Sequence, residues 1–416
     1  MKVFKFGGAS VITVERIKNV GFILKKYENE KLLVVISAMG KTTNALEKVV
    51  NAFYEKDKSS ALLLFEEIKK THLEIAFDLT GEPIHALQDF FTEIEWLLHD
   101  NPVKPYDYYY DQIVCIGEML SSTIVSNYLN SAGVNNEWID VRDIIRTDDT
   151  FRDAKIDWEI TSEKMNTQVV PLFKSVDVVI TQGFIGATDE NESTTLGREG
   201  SDYTAAVFAN VLNADCVSIW KDVQGVMNAD PKIYKNAQWI KELNYKEVIE
   251  MAYYGAQVIH PKTIKPLQNK HIPMYVRSFV HPDEEGTYIH NGSLNNLPPI
   301  IVYKENQVLV QLNSKDFSFV SDQLTTDLYT LFGRLKIKPN LTQNAAISFL
   351  CVLDDHQNKI EEFALTASEL FDVQVNSGLT LLTIRHFTQD LLADLTREKT
   401  ILLSQQTPET IQVLIK

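Results

Sequence analysis

The chain has 416 residues, and apolar residues make up 44% of them, which is enough to bury a large core in two or three domains. Lys and Arg total 40 against 56 Asp and Glu, so the formal net charge is −16. This charge repels phosphate backbones and anionic lipid, and it argues against binding to nucleic acid or to a membrane. An acidic protein that binds an anionic substrate must gather positive charge locally.

The cysteine pattern and the apolar runs indicate the compartment. Cys115, Cys216 and Cys351 lie far apart and outside any CxxC pattern, which predicts free thiols rather than disulfides or a zinc site. The apolar runs are shorter than the ~18–20 residues that span a bilayer, and the N-terminal residues do not match a signal peptide. We therefore expect a cytoplasmic protein.

Strands and helices alternate along the first two thirds of the chain. Residues 2–6 alternate polar and apolar side chains and lead into Gly7-Gly8, which predicts a short strand and a tight turn. Residues 32–36 are continuously apolar, as in a parallel strand buried on both faces, and a mostly helical stretch is predicted for 43–130. Further strands are predicted at 177–181, 216–220 and 272–276, with helices at 202–212 and 245–254. This alternation predicts an α/β domain with a mainly parallel sheet.

The composition shifts near 284–299, where the Gly, Asn and Pro residues typical of turns and linkers are concentrated. We therefore predict a boundary between a larger domain over 1–290 and a smaller α+β region over 300–416. The smaller region is predicted to contain a strand, a helix and two further strands, at 307–312, 322–335, 346–353 and 379–385.

A lysine and two glycines lie at the end of the first predicted strand. Gly7 and Gly8 lack Cβ atoms and let backbone N–H groups approach an anion, while Lys5 adds a compact positive charge. Taken alone, a surface lysine beside an ordinary turn is the simpler explanation. Gly40-Lys41-Thr42 is similar to the end of a P-loop, but Val35 stands where that motif has its first glycine. The sequence has no GxGxxG pattern either, which argues against a bound dinucleotide.

Two later loops also combine glycine with charge. Residues 196–203 place glycines just before a predicted helix, where Ser201 or Asp202 can cap an N-terminus suited to anions. In the same loop, Arg198 offers a planar fork for a carboxylate. A solvated arginine beside a capped helix is an equally good explanation of this loop.

Residues 220–232 follow another predicted strand, and ligands of open α/β sheets bind beyond the carboxyl ends of the strands. Lys221 and Lys232 would supply local positive charge there, although, taken alone, a solvated loop is the better explanation. Glu118 falls within an apolar helical stretch, and a buried carboxylate needs a partner such as a substrate ammonium. Taken alone, Glu118 is better explained by a structural hydrogen bond.

In this order, these segments resemble the aspartate kinases of the amino-acid kinase family. The resemblance extends from Met1 to about Ser278 and is carried by KFGGAS, SAMGKTTN, GEMLSS, TQGFIG, TLGREGSDYTA, WKDVQGVMNADPK and YYGAQVIHPKT. It implies a three-layer αβα sandwich with a mainly parallel sheet, with ATP and aspartate along the carboxyl edge. The implied reaction transfers the γ-phosphate of ATP to the β-carboxylate of L-aspartate and gives 4-phospho-L-aspartate. This is the first step of lysine, threonine and methionine biosynthesis.

The resemblance also implies roles for individual residues. Lys5 and Asp202 would be catalytic, and Mg²⁺ would be held through the nucleotide phosphates rather than by a metal site of the protein. The implied ATP-binding residues are Lys5, Gly7, Gly8, Lys221, Asp222, Met227, Lys232, Gln257 and Val258. The implied aspartate-binding residues are Ser37, Thr43, Glu118, Arg198, Glu199, Gly200 and Ser201. Among these, Glu118 would bind the ammonium and Arg198 a carboxylate.

The sequence departs from the common family pattern at several positions. Glu199 stands in a loop that more often has Gly or Asn. One positive charge is lost at Gln257, where a Lys would contact the nucleotide phosphates, and another is gained at Lys221, which replaces a hydroxyl residue. The remaining departures are Ala9 for Thr, Met227 for Tyr and Lys232 for Arg.

The region from residue 300 resembles the ferredoxin-like ACT modules of monofunctional aspartate kinases, which implies a homodimer formed through this region. The loop Ser314–Ser321 has no Gly, and Asn340 stands where an Asp would contact the amine of an effector. We therefore expect weak or no inhibition by lysine or threonine. Residues 378–416 are too few for a complete second module, so we expect them to pack on the first module or on a partner.

Two alternatives stay open at this point. One is a kinase for another small carboxylate, such as N-acetylglutamate or glutamate, against which the TLGREGSDY segment and the ACT-like region argue. The other is a catalytically silent regulator that binds an amino acid. The changes at Gln257 and Asn340 favour such a regulator, whereas the presence of Lys5, Glu118 and Arg198 opposes it.

Overall fold

The computed structural model describes residues 1–256, 258–294 and 296–416. The chain forms two compact units. The first comprises Met1–Val226, Trp239–Ile249 and Gln257–Leu294, and the second comprises Met227–Gln238, Glu250–Ala256 and Asn295–Lys416. The change of unit at residue 295 lies in the Gly-, Asn- and Pro-rich stretch. In addition, two short segments from the earlier part of the chain belong to the second unit.

Most elements before residue 295 build the first unit around one mixed sheet. In chain order they are β1 (Lys2–Phe6), α1 (Val14–Lys25), β2 (Leu32–Ile36), α2 (Thr42–Tyr54), α3 (Lys58–Thr80), α4 (Ala86–His99), α5 (Tyr106–Val114), α6 (Ile116–Ser131), β3 (Asn136–Trp138), α7 (Trp158–Lys164), β4 (Val178–Gln182), β5 (Ile185–Ala187), β6 (Ser193–Thr195), α8 (Gly200–Leu212), β7 (Cys216–Lys221), β8 (Glu242–Asn244), α9 (Tyr245–Tyr254), α10 (Pro261–Asn269), β9 (Met274–Ser278) and β10 (Thr287–His290).

Among the described residues, the strand order in this sheet is β3-β4-β2-β1-β7-β9-β10-β8. The pairs from β3 to β9 are parallel, and β10 runs antiparallel to β9. Every residue of β2 and β4 is buried, as expected for apolar strands covered on both faces. The predicted α/β fold with a mainly parallel sheet is confirmed.

The register of the central strands sets the position of the candidate site. Phe6, the last residue of β1, lies opposite Ile36 of β2 and Trp220 of β7. The ring of Phe6 also stacks on the ring of Trp220, with centroids 5.9 Å apart. The carboxyl ends of β1, β2 and β7 therefore meet at one edge of the sheet, where the loops after these strands come together.

The second unit is built on an antiparallel sheet. Its elements after residue 295 are β11 (Ile300–Ser314), α11 (Asp322–Leu335), β12 (Leu341–Asn344), β13 (Ser348–Asp354), α12 (Gln357–Ala367), β14 (Phe371–Arg385), α13 (Gln389–Leu395), β15 (Ile401–Gln406) and β16 (Thr410–Ile415). The strand order over the described residues is β12-β13-β11-β14-β16-β15. Helix α11 covers the range predicted as 322–335.

Two long strands join the two halves of this sheet. Strands β11 and β14 pair antiparallel along their length, with register shifts between Lys304 and Leu309. The residues after Gly378 continue β14 and pair with residues 300–304, so they share the sheet instead of forming a separate piece. Leu341 of β12 and Leu403 of β15, from opposite edges of the sheet, lie in one buried cluster. The apolar layer on this face of the sheet is therefore continuous from one edge to the other.

Two other expectations can be compared with the fold. Cys115, Cys216 and Cys351 are buried free thiols. Across the ranges that the structure describes, no helix is both long enough and apolar enough to cross a membrane.

Candidate active site

The carboxyl ends of β1, β2 and β7 and the N-terminus of α8 surround a cavity of about 540 Å³. The structure brings most of the residues predicted for the site to its wall. These are Lys5, Gly8, Ser37, Thr43, Glu118, Arg198, Glu199, Gly200, Ser201, Asp202 and Lys221. Residues from five separate segments of the chain thus meet as the motifs predicted.

An ion pair joins the end of β1 to the first turn of α8. The Lys5 ammonium lies 2.7 Å from Asp202 Oδ1, and the two side chains are only 11% and 3% exposed. Burial favours the neutral form of Asp202, but the charges of Lys5 and Lys221 outweigh it and hold the pKa of this carboxyl below its usual value. The pair keeps the Lys5 ammonium fixed at the bottom of the cavity.

A second lysine lies beside the same carboxylate. Lys221 Nζ is 3.8 Å from Asp202 Oδ2, and it donates a hydrogen bond of 2.7 Å to the carbonyl oxygen of Val258. Asp222 points instead to Arg16, whose Nη1 lies 2.7 Å from Asp222 Oδ1. Val258 therefore contacts Lys221 through its backbone carbonyl, and the Asp222 carboxylate is already paired with Arg16.

Close backbone packing shapes the loop after β1. A Cβ atom on Gly8 would lie 2.5 Å from the carbonyl oxygen of Ala38, so a larger residue cannot fit without moving the backbone. Gly40 also donates its N–H to the carbonyl oxygen of Gly8 at 3.0 Å. Gly7 lies beside the ammonium, since a Cβ there would be 3.5 Å from Lys5 Nζ. The loops after β1 and β2 thus form one wall of the cavity.

Glu118 in α6 is a buried carboxyl with spare hydrogen-bonding capacity. Its Oε1 accepts the N–H of Ala38 at 3.3 Å, whereas Oε2 has no hydrogen-bond partner among the described residues. Burial raises the pKa of Glu118 to about 8, although the Ala38 N–H and the Lys5 charge act in the opposite direction. The side chain is therefore suited to receive a cationic group that enters the cavity.

The loop before α8 carries two of the predicted aspartate-binding residues, which differ in their contacts with the rest of the protein. Glu199 has a left-handed backbone (φ 53°), and its Oε2 accepts the N–H of His260 at 2.8 Å. The Glu199 carboxylate is therefore occupied by the protein. Arg198 is exposed and forms no hydrogen bond or ion pair with the residues that the structure describes, so its guanidinium is available to a ligand.

Some predicted residues remain outside this description. Gln257 lies outside the described residues. Met227 and Lys232 belong to the second unit, so their predicted contact with the nucleotide stays a prediction. The sequence reasoning also missed residues that line the cavity, namely Ala38, Gly40, Tyr110, Arg152, Phe184, Thr195 and Gly197. Arg152 has no motif around it, and only the requirement for local positive charge could have drawn attention to it.

The cavity wall therefore carries two chemically different sets of groups, a lysine part and a part with Glu118 and Arg198. The Lys5 and Lys221 ammonium groups suit phosphate oxygens. The partly unsatisfied Glu118 carboxyl suits an ammonium, and the Arg198 guanidinium, which has no partner among the described residues, suits a carboxylate. Within the described ranges, no group of three or more His, Cys, Asp or Glu side chains could hold a metal ion. The arrangement can bring an amino acid and a phosphate donor together.

Comparisons with known proteins give the class of this chain. A model of the amino acid kinase family matches residues 1–278. The lysine-sensitive aspartokinase 3 of Escherichia coli (strain K12) is 31% identical over 396 residues, which cover 92% of this chain and 86% of that protein. The chloroplastic aspartokinase 2 of Arabidopsis thaliana is 32% identical over 371 residues, which cover 85% and 66% respectively. The chain therefore belongs to the amino acid kinase family.

A solved structure extends the likeness to the whole chain. The crystal structure of E. coli aspartokinase III in complex with aspartate and ADP has a TM-score of 0.83 and 27% sequence identity. The match covers 100% of this chain and 96% of that chain. Within its family, the chain is thus similar to aspartokinases in both sequence and fold, and the resemblance stated from the motifs is confirmed.

The raised pKa of Glu118 leads to a prediction about aspartate binding. In the free protein this carboxyl is mostly protonated at neutral pH, because its pKa is about 8. An ammonium binds the ionised form, so binding must release a proton below that pH. We expect the KM for aspartate to fall by up to roughly tenfold per pH unit between about pH 6 and 8, and to level off above.

Steady-state kinetics of the native protein and Glu118→Gln would measure this dependence. The variant should have a high KM that no longer varies with pH in this range, because it has no proton to release. Asp202 does not contribute, since its pKa is lowered and it stays ionised throughout. A pH-independent KM in the native protein would contradict the proposed ammonium contact of Glu118.

Proposed function

We propose that this chain is an aspartate kinase, which transfers the γ-phosphate of ATP to the β-carboxylate of L-aspartate. The observation that carries this conclusion is the joint placement of Lys5, Asp202, Glu118 and Arg198 around one cavity. The fold and sequence of the chain are similar to those of aspartokinases, including one whose structure holds aspartate and ADP. The product is an acyl phosphate, 4-phospho-L-aspartate.

The phosphate donor binds at the lysine part of the cavity. Lys5 contacts the transferred phosphate, and Asp202 holds the Lys5 ammonium in place at 2.7 Å. Lys221 flanks the nucleotide phosphates. The substrate is ATP with Mg²⁺ carried on its phosphates. When bound, the metal ion screens the charge of the phosphates from the attacking carboxylate.

Aspartate binds at the other part of the cavity. Its ammonium contacts the Glu118 carboxylate, and its α-carboxylate contacts the Arg198 guanidinium, while Ser37, Thr43 and Ser201 line the wall beside it. The β-carboxylate is ionised at neutral pH, with a reference pKa near ~3.9, so the reaction needs no general base. The protein's task is to position two anions for in-line attack and to stabilise the charge of the transferred group.

A coupled assay tests the reaction and its substrate. We expect release of ADP with aspartate, together with an acyl phosphate that hydroxylamine traps as a hydroxamate. Glutamate and N-acetylglutamate should give little activity. Activity with N-acetylglutamate but not with aspartate would identify N-acetylglutamate as the substrate and would contradict the proposal. Binding of aspartate without any ADP release would support a catalytically silent regulator and would contradict the proposal.

The two parts of the cavity predict different kinetic defects. Lys5→Ala should lower kcat by about 10²-fold or more, since Lys5 serves charge that develops during transfer. Arg198→Ala should mainly raise the KM for aspartate, because Arg198 binds a carboxylate that does not react. The exposed Lys18→Ala in α1 serves as a control with normal kinetics. Near-normal turnover of Lys5→Ala would rule out its proposed contact with the phosphate.

The second unit supports a prediction about regulation. Asn340 Oδ1 accepts a hydrogen bond from Lys304 at 2.8 Å, and Nδ2 donates to Gln307 at 2.7 Å and to Asp354 at 2.9 Å. This side chain is thus occupied within its own unit and lacks the charge that strengthens a bond to an effector amine. We propose that lysine and threonine inhibit the enzyme weakly or not at all.

Calorimetry and inhibition assays with lysine, threonine and methionine would check this, with the lysine-sensitive E. coli enzyme as the positive control. We expect no heat of binding for lysine at concentrations that saturate the control. Tight lysine binding with loss of activity would mean that the changed motif still works.

We also propose that the chain forms a homodimer through the ACT-like region. Phe317 and Phe319 are 80% and 76% exposed in the loop before α11, which is hydrogen-bonded to the segment with the partly exposed Ile347. Contiguous exposed apolar side chains of this kind favour protein–protein contact. Sedimentation should give a dimer for the native chain and a monomer for the double variant Phe317→Asp/Phe319→Asp. Phe77→Asp, an exposed site on α3, should remain dimeric. A native monomer would overturn the proposal.

A further inference from the structure

A second arginine lines the same cavity as Arg198. Arg152 precedes α7 in a turn that no sequence motif marks, yet it lies in the cavity wall with Tyr110, Thr195 and Gly197. The proposed reaction brings two anions together in a protein with a net charge of −16. The Arg152 guanidinium is therefore a candidate group for binding an anionic substrate.

The backbone at Arg152 is held in an unusual conformation. Its φ of 70° lies in the left-handed region, which costs free energy for a residue with a side chain. The Arg152 N–H donates to Asp111 Oδ2 at 3.0 Å. The same carboxylate, which is fully buried, accepts the N–H of Thr195 at 2.8 Å and its hydroxyl at 2.7 Å. Asp111 thus fixes the Arg152 turn against the segment that leads to Arg198.

Further contacts join these two segments. Ala154 donates its N–H to the carbonyl oxygen of Thr195 at 3.0 Å. A Cβ on Gly197, which has φ 75°, would lie 3.2 Å from the carbonyl oxygen of Arg152 and 2.7 Å from Asp153 Oδ1, so the two segments pack closely at this glycine. Lys262 Nζ bridges Asp153 Oδ1 at 2.9 Å and the carbonyl oxygen of Leu196 at 3.0 Å. The two arginines are therefore carried by one tightly connected part of the wall.

The Arg152 side chain has a partner that it can exchange. Its Nη1 lies 3.2 Å from Asp107 Oδ1, and the two side chains are 42% and 57% exposed. An ion pair this exposed contributes little stability. The guanidinium also lies over the ring of Tyr110, 4.3 Å from its centroid, which keeps its plane oriented while the end of the fork stays accessible.

We propose that Arg152 is a specificity-determining residue that binds the α-carboxylate of aspartate together with Arg198, exchanging Asp107 for the substrate. The planar fork of each arginine suits a carboxylate, and two of them hold it more firmly than one. This inference rests on the proposed position of aspartate in the cavity. It explains why a strained arginine stands where the backbone favours glycine.

The backbone conformation supplies a clean test. Arg152→Gly removes the side chain and suits φ 70°, so the variant should fold with an unchanged or slightly higher Tm. We expect its KM for aspartate to rise roughly tenfold, the scale of one charged hydrogen bond, with kcat and the KM for ATP nearly unchanged. Arg152→Lys should give an intermediate KM because it keeps the charge but not the fork.

A second variant tests whether Arg152 exchanges Asp107 for the carboxylate of aspartate. Asp107→Asn removes the competing carboxylate and should lower the KM for aspartate, while a higher KM would overturn the exchange. Arg198→Ala separates the two proposals. If it raises the KM for aspartate while Arg152→Gly does not, the proposed site stands and Arg152 has no role in it. If neither variant changes the KM, the proposed position of aspartate is wrong, and the inference about Arg152 is wrong with it.

Discussion

The ion pair between Lys5 and Asp202 connects the two elements on which the cavity depends. Lys5 lies one residue before the end of the central strand β1, Asp202 lies in the first turn of α8, and their charged atoms are 2.7 Å apart. Removing one partner of such a pair leaves an uncompensated buried charge, at a cost of about 3–5 kcal/mol. The pair therefore fixes the sheet edge against the helix N-terminus and holds an ammonium in the cavity wall. A strongly acidic protein in this way keeps a positive charge available at one place.

Two buried carboxyls of the same cavity are held in opposite states by their surroundings. Asp202 has Lys5 and Lys221 beside it, and their charges keep it ionised despite its burial. Glu118 lies among apolar residues of α6 with one backbone N–H as its bonded partner, so burial raises its pKa to about 8. Separate environments thus give separate roles to two chemically similar groups. Asp202 holds a cation of the protein, whereas Glu118 keeps one carboxyl oxygen without a hydrogen-bond partner among the described residues.

The second unit contains a hydrogen-bonded polar group and a buried apolar cluster that are both formed by its own residues. Lys304, Gln307, Asn340 and Asp354 form a closed hydrogen-bonded group between β11, β13 and the segment before β12. Strands β11 and β14 carry the sheet through both halves, and leucines from both edges lie in one buried cluster. The first half also has a buried cluster of its own, whereas the residues after Gly378 are too few for an independent core and depend on the shared sheet. The changed effector motif is thus part of a stable structure.

The sequence by itself determined the features that depend on local pattern. Apolar runs predicted β2, β4 and β7, and the range predicted as a helix at 322–335 is that of α11, because side-chain periodicity follows directly from backbone geometry. The glycine-rich loops and their charged neighbours identified most of the cavity wall, and the family resemblance ordered them into one site. Only the tertiary structure decided that Glu199 binds the N–H of His260, that Arg152 lines the same cavity as Arg198, and that Met227–Gln238 joins the second unit. Such contacts join residues far apart in the chain, and they depend on how the elements pack rather than on any local pattern.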